Sequence, residues 1–219
     1  MPESLLHVEL RTLLWRLLQQ HFGHLGTAGT DQFVYWDPRD PRKNMAPDVY
    51  FGIGPQPLPI TSWKTWERGV PDLAIEIVSD ADSSARAKEK SVERYVELGV
   101  RELLRFDCRG AKRNLEAWDI VAGVARPRIM DTRLVTPCHT LGGSFVVAET
   151  GPLGATLRLA RDLAGSDLLP TDREETTLAK RLLLDAKKQA RDAQKQAKDA
   201  EARIAELTAA LAASRTRPR

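Results

Sequence analysis

A chain of 219 residues, 42% hydrophobic, is long enough to bury one substantial core, and it has no long uncharged apolar run of the kind that spans a membrane. Its formal charge of +3 is unevenly spread: residues 172–219 hold 12 Lys and Arg against 8 Asp and Glu, leaving 21 against 22 in the first 171. A nucleic-acid partner leaves a basic footprint, and the body carries none in bulk, so contact with DNA there would fall to local patches such as Arg39, Arg42 and Lys43, or Arg109, Lys112 and Arg113.

Leu6, Leu10, Leu13, Leu14 and Leu17 recur at helical spacing behind Ser4, which predicts an amphipathic helix over residues 5–22 ending at Gly23. Glu3, Glu9, Arg11 and Arg16 interrupt the same stretch, so it does not read as a secretion signal. Cys108 and Cys138 have no CxxC spacing or histidine cluster, which argues against a disulfide framework or structural zinc and for a reducing, cytoplasmic setting. "DQFVYW" (31–36) and "APDVYFGI" (46–53) predict two strands between Gly and Pro clusters, and "VPDLAIEIVSD" (70–80) a third. Helical spacing returns over 82–98, and "RELLRFD" (101–107) predicts a further strand. Shorter strands follow near 114–120, 133–136, 144–149 and 155–160, giving an α/β order of α, β, β, β, α, β and then extra β.

From about Thr176 the composition shifts to seven-residue repeats, "DAKKQAR", "DAQKQAK" and "DAEARIA". Ala179, Leu183, Ala186, Ala190, Ala193, Ala197, Ala200, Ile204, Leu207 and Leu211 alternate by four and three, the seam of a coiled coil. An alanine seam buries little apolar area, so the expectation is weak homo-oligomerisation, the alternative being a solitary helix held by propensity and charge pairs. The expected division is residues 1–170 and a helical tail, 171–219.

The strand at 70–80 poses the chemical question. Side chains alternate faces along a strand, so Asp72, Ala74, Glu76 and Val78 share one. Asp48 opens the preceding strand in the same Pro-Asp context, and hairpin-like pairing would bring it towards Glu76. Buried carboxylates need compensation, and a divalent cation with oxygen ligands is one form of it. Asp48 and Asp72 have an ordinary alternative as solvated acids after proline, whereas Glu76 sits mid-strand. The four histidines are scattered, and neither a Ser/His/Asp ordering nor a GxxxxGK[ST] phosphate loop is present, which disfavours triad hydrolases and nucleotide triphosphatases.

"APDVYFGIG", "SWKTWERG", "VPDLAIEIVS", "YVELGVRELLRFD" and the heptad tail, in that order, resemble the Uma-type restriction endonuclease family of the PD-(D/E)XK nuclease superfamily. The resemblance runs through about residues 5–160. It implies a restriction-endonuclease-like core and hydrolysis of phosphodiester bonds in DNA dependent on Mg2+, with Mn2+ as a substitute. It makes Asp48 and Glu76 the catalytic metal ligands, with Asp72 as an auxiliary acid. It also implies an assisting lysine, which the strand lacks, since Ile77 and Val78 follow Glu76. In the family this lysine is thought to move to the next helix, where spacing selects Lys90; helical orientation about Val92, Tyr95 and Val96 prefers Lys88.

Two departures bear on activity: Arg86 or Ala87 stands where the family has an Asp, with Asp80 and Asp82 as compensating candidates, and "ELLRFD" lacks the family's aromatic pair. Glu9 is either a supporting acid on the first helix or an ordinary boundary residue. Trp63 and Trp66, with Lys64 between them, are candidate DNA contacts, the alternative being that the tryptophans close a core. The rival to a DNA endonuclease is a noncatalytic nuclease-fold binding or scaffold protein that oligomerises through its tail.

Overall fold

Ser4 accepts a hydrogen bond from the His7 amide and so caps helix α1 (Leu5–Phe22), whose Leu10, Leu14, Leu17 and Leu18 are buried. The computed structural model describes residues 4–54, 59–80, 83–109, 114–130, 132–149 and 153–215, with 211–215 described by backbone alone. Asp82, Lys112, Arg113 and the Leu211 side chain lie outside the described residues. After α1 come β1 (Gly26–Gly29), β2 (Val34–Tyr35), β3 (Asn44–Met45), β4 (Val49–Ile53), β5 (Trp63–Lys64), a short α2 (Thr65–Arg68), β6 (Leu73–Ile77) and α3 (Ala85–Leu98). The rest is β7 (Glu102–Asp107), β8 (Asn114–Val121), β9 (Val124–Pro127), β10 (Val135–Pro137), β11 (Ser144–Glu149), β12 (Ala155–Ala160) and α4 (Asp172–Arg215).

The protein is a mixed α/β structure centred on a six-stranded sheet of order β1-β4-β6-β7-β8-β9. β4 runs antiparallel to β1 and β6, while β6 and β7 are parallel, joined by the crossover that contains α3. Each face of the sheet carries its own core. On one, the α1 leucines pack with Val49, Phe51, Ile75, Ile77, Leu104 and Phe106, and with Phe145, Leu157 and Leu159 of the three-stranded β10-β11-β12 sheet. On the other, Tyr95 and Leu98 of α3 meet Tyr50, Trp63, Ala74, Leu103 and Trp118. Both faces being covered explains why β6 and β7 read as near-continuous apolar runs.

The expected strand at 31–36 reduces to β2, in a small β3-β2-β5 sheet. The edge of the main sheet is taken instead by "GTAG", four small residues that read as a turn. They suit it because β1 passes close over large neighbours: a Cβ on Gly29 would lie 2.0 Å from Tyr50 Cζ, and one on Gly26 2.2 Å from the Gly52 carbonyl oxygen.

Contacts divide the chain into two compact units, Met1–Thr171 and Asp172–Arg219. Within the second, α4 is a single 44-residue helix with Asp172, Glu174 and Glu175 in its first turn, where acids complement the helix dipole. Leu183, Ile204 and Leu207 of its seam are 55%, 64% and 54% exposed. Among the described residues no helix is long and apolar enough to cross a membrane.

Because both cores are drawn from the first unit, removing residues 172–219 should leave it folded. A thermal melt of the truncated protein is expected to keep one cooperative transition within a few degrees of the intact chain; loss of that transition would show that α4 completes the core.

Candidate functional site

The Pro47-Asp48 step that opens β4 is held on both sides. The Thr30 hydroxyl donates to the Asp48 carbonyl at 2.7 Å, and the Asp31 amide donates to the Pro47 carbonyl at 3.2 Å. β4 pairs with β6 in the register Val49↔Ile75, Tyr50↔Ala74 and Phe51↔Leu73, and one further step places Asp48 beside Glu76. The Asp48 carboxylate takes up that position: its Oδ2 accepts from the Ile77 amide at 2.7 Å. Its Oδ1 lies 2.7 Å from Nε2 of His7, and since a carboxylate only accepts, the imidazole is the donor. His7 shares the α1 face of Leu10, Leu14 and Leu17, so the apolar stripe that seats the helix also carries the imidazole to Asp48.

Glu76 projects from the opposite face of β6 to Ile75 and Ile77, under α3, and accepts a hydrogen bond from the buried Tyr95 hydroxyl. Burial, and then the negative charge of Glu76, hold the Tyr95 phenol well above its usual range, so it stays neutral and remains a donor. Beside Glu76 opens a cavity of about 400 Å³, lined by Ile77 and Val78, by Arg105 of β7, by Met45 and Ala46, and by Ala87, Lys90, Ser91 and Arg94 of α3. The α3 residues fall at spacings of three, one and three, a single flank of the helix.

The helix therefore brings Lys90, not Lys88, to the cavity wall. Lys88 lies on the stripe that packs downward, as its spacing from Val92 and Tyr95 suggests, but the stripe leads past Glu76 to β8, where its Nζ is 2.9 Å from Glu116 Oε1. The cavity lies along the border of the packed face of α3 rather than beneath it.

Asp72 does not join this group. It stands at the entrance of β6, roughly 13 Å of strand from Glu76, where Oδ2 accepts from the Ile53 amide at 2.8 Å and Oδ1 lies 3.2 Å from Arg101. Glu9 is exposed on α1, and His7 is the α1 side chain that reaches Asp48. Trp63 closes a core: it is 1% exposed, its indole N–H donates to the Gly69 carbonyl at 2.8 Å, and its ring meets Tyr50 edge-on. Lys64 pairs with Glu67, and Trp66 is 45% exposed. Of the described residues in the local basic patches, Arg42 pairs with Asp40, Lys43 with Glu97, and Arg109 with Asp107 and Asp80.

The Uma2 family model, described as "Putative restriction endonuclease", matches residues 1–160. The chain belongs to the Uma2 family. A solved structure from Anabaena variabilis, titled "putative nuclease belonging to DUF820", matches this Uma2 chain with a TM-score of 0.45 and 13% identity, covering 65% of this chain and 76% of that one. A comparison with curated proteins returns no match.

In this Uma2 protein, no three His, Cys, Asp or Glu side chains among the described residues gather into a group that could hold a metal ion. The donor set is two carboxylates on neighbouring strands. Magnesium is ordinarily held by one or two carboxylates together with water and substrate phosphates, and a carboxylate oxygen that accepts one hydrogen bond keeps a second lone pair, so the pair fits that class of ion.

Replacing Tyr95 by Phe removes the phenolic donor from Glu76 while keeping the ring in its core. The expected cost is about 1–3 kcal/mol, read as a melting temperature lower by roughly 2–4 °C per kcal/mol. An unchanged melt would mean that the Glu76 carboxylate does not depend on Tyr95.

Proposed function

We propose that the chain is a divalent-cation-dependent endonuclease that hydrolyses phosphodiester bonds in DNA, with Asp48 and Glu76 as its metal ligands. The observation that carries this reading is the register of β4 against β6, which, extended one step beyond Val49↔Ile75, brings Asp48 alongside Glu76, while Glu76 lines a cavity walled by Lys90, Arg94 and Arg105. Membership of a family described in terms of restriction endonucleases supports the same reaction class.

Each residue has a separable task. His7 and the Ile77 amide orient the Asp48 carboxylate, and Tyr95 orients that of Glu76, so neither has to be arranged when a substrate arrives. The cationic wall attracts a phosphodiester, and its local character suits a body with no overall basic charge. A bound magnesium or manganese ion supplies Lewis acidity at the phosphate and an activated water. The α4 seam adds weak self-association, which would place two such sites in one assembly.

Cation binding to the folded state alone raises its stability, by about 2.7 kcal/mol at a hundredfold excess over Kd. Millimolar magnesium or manganese should therefore raise the melting temperature of the wild type by roughly 5–10 °C. Glu76→Gln and Asp48→Asn should each keep the fold, abolish that rise and abolish cleavage of plasmid DNA. A wild type whose melt is indifferent to both ions, with no heat of binding in calorimetry, would contradict the reading and favour a noncatalytic binding protein.

Self-association through α4 is tested by sedimentation at several concentrations. The intact chain should gain mass with concentration, and Leu183→Asp with Leu207→Asp should remain monomeric. The same mass for both at every concentration would mark α4 as a solitary helix.

A further inference from the structure

The register that joins Asp48 to Glu76 continues across the sheet. Glu76 pairs with Arg105 in the parallel β6–β7 ladder, and Arg105 pairs with Glu116 in the antiparallel β7–β8 ladder. Paired residues share a face, so one row of charge, Glu76, Arg105 and Glu116, crosses three strands on the side covered by α3. Arg105 is 6% exposed, in a strand whose neighbours Leu103, Leu104 and Phe106 are core. A guanidinium there is costly unless it is paired. Glu116 lies 3.7 Å from it through Oε2 and 2.9 Å from the Lys88 ammonium through Oε1. The cavity itself is lined by three cationic side chains and one carboxylate. That imbalance suits an anion.

The Glu-x-Lys pattern puts a lysine two residues after the glutamate, on the same face of the same strand. Val78 occupies that position and lines the cavity without a charge. Arg105 lines the same cavity from the next strand, as the ladder partner of Glu76.

We propose that Arg105 is the catalytic cation of this site, contacting a non-bridging oxygen of the scissile phosphate in the role that position 78 leaves vacant. The inference rests on the nuclease reading above. Arg105 fits better than either lysine for two reasons. It is buried in a strand, so its position is set before substrate binds, whereas Lys90 is exposed and must be ordered at an entropic cost. Its planar fork also matches two phosphate oxygens at once. Arginine keeps its proton in proteins, so Arg105 acts by charge and hydrogen bonding alone. In the step it assists, a water oxygen bonds to phosphorus and one phosphorus–oxygen ester bond breaks. The water's proton passes to solvent and the leaving oxygen takes one from solvent. One water is consumed per bond, giving a phosphate monoester and an alcohol.

The test compares Arg105→Gln, Arg105→Lys and Lys90→Met in three assays. These are nicking of supercoiled plasmid with magnesium or manganese, the cation-induced rise in melting temperature, and metal-free binding of a fluorescein-labelled 20-base-pair duplex. Arg105→Gln should lower nicking by about 10²-fold, the scale of losing one preorganised donor, and keep the cation-induced rise. Arg105→Lys should recover at least a tenth of wild-type nicking, and Lys90→Met should lose less than tenfold. Nicking by Arg105→Gln within threefold of wild type would overturn the proposal. So would loss of the cation-induced rise along with activity, because Arg105 would then be acting through the metal ligands. Should Arg105→Gln fail to fold, the double variant with Glu116→Gln removes both partners and leaves no orphaned carboxylate; the same outcomes decide. If the wild type does not nick at all, the nuclease reading fails separately, and duplex binding decides for Arg105. Affinity lowered about tenfold at an unchanged melt supports a phosphate contact, and unchanged affinity overturns it.

Discussion

The hydrogen bond from the Ile77 amide to Asp48 Oδ2, 2.7 Å long and buried, ties together everything that follows in the site. It belongs to neither strand's regular ladder, since the acceptor is a side chain at the entrance of β4 and the donor a main-chain amide at the end of β6. It therefore locks the register of the two strands at the end where the carboxylates stand. A slip of one residue would turn every side chain of β6 to the other face, sending Glu76 into the α1 leucines and Ile75 and Ile77 under α3. The apolar cost of such a slip guards the fold, and the Asp48 bond makes the same register serve the site.

The two ends of β6 show the same residue type put to different uses. At its entrance Asp72 is saturated by the Ile53 amide and Arg101, and nearby Glu102 accepts from the His139 and Thr140 amides and from Arg128. Those carboxylates staple strands and loops. At the other end Glu76 meets a neutral phenol and a cavity lined by Lys90 and Arg94 from α3 and by Arg105 from β7. The proposed chemistry falls to one end of the strand because of what faces its carboxylates, not because of their number.

Much of this was legible in the sequence because it follows from periodicity. The leucines of α1, the alternation in "LAIEI" and the Pro-Asp repeat gave the helix, the strand faces and the pairing of Asp48 with Glu76. What was not legible depended on close approach or on neighbours distant in sequence. "GTAG" pairs as an edge strand with its two glycines, Gly26 and Gly29, where Phe51 and Tyr50 of β4 leave no room for a Cβ. Trp63 reads equally as a DNA contact or a core aromatic until β2 and Tyr50 enclose it. Lys88 and Lys90 differ by 200° around α3, but which of them meets the site depends on where the helix axis crosses the sheet. His7 could have been found, since it lies on the apolar stripe of α1, where a polar side chain needs a partner.

The central claim is that Asp48 and Glu76 together hold a divalent cation, and anomalous scattering from crystals soaked in manganese reports on it most directly. The account predicts one strong anomalous peak between the two carboxylates, within about 2.0–2.3 Å of an oxygen of each, and no peak there in Glu76→Gln. A soaked wild-type crystal with no density between them, or with its only peak beside Asp72, Glu102 and Asp119 at the far end of β6, would contradict it.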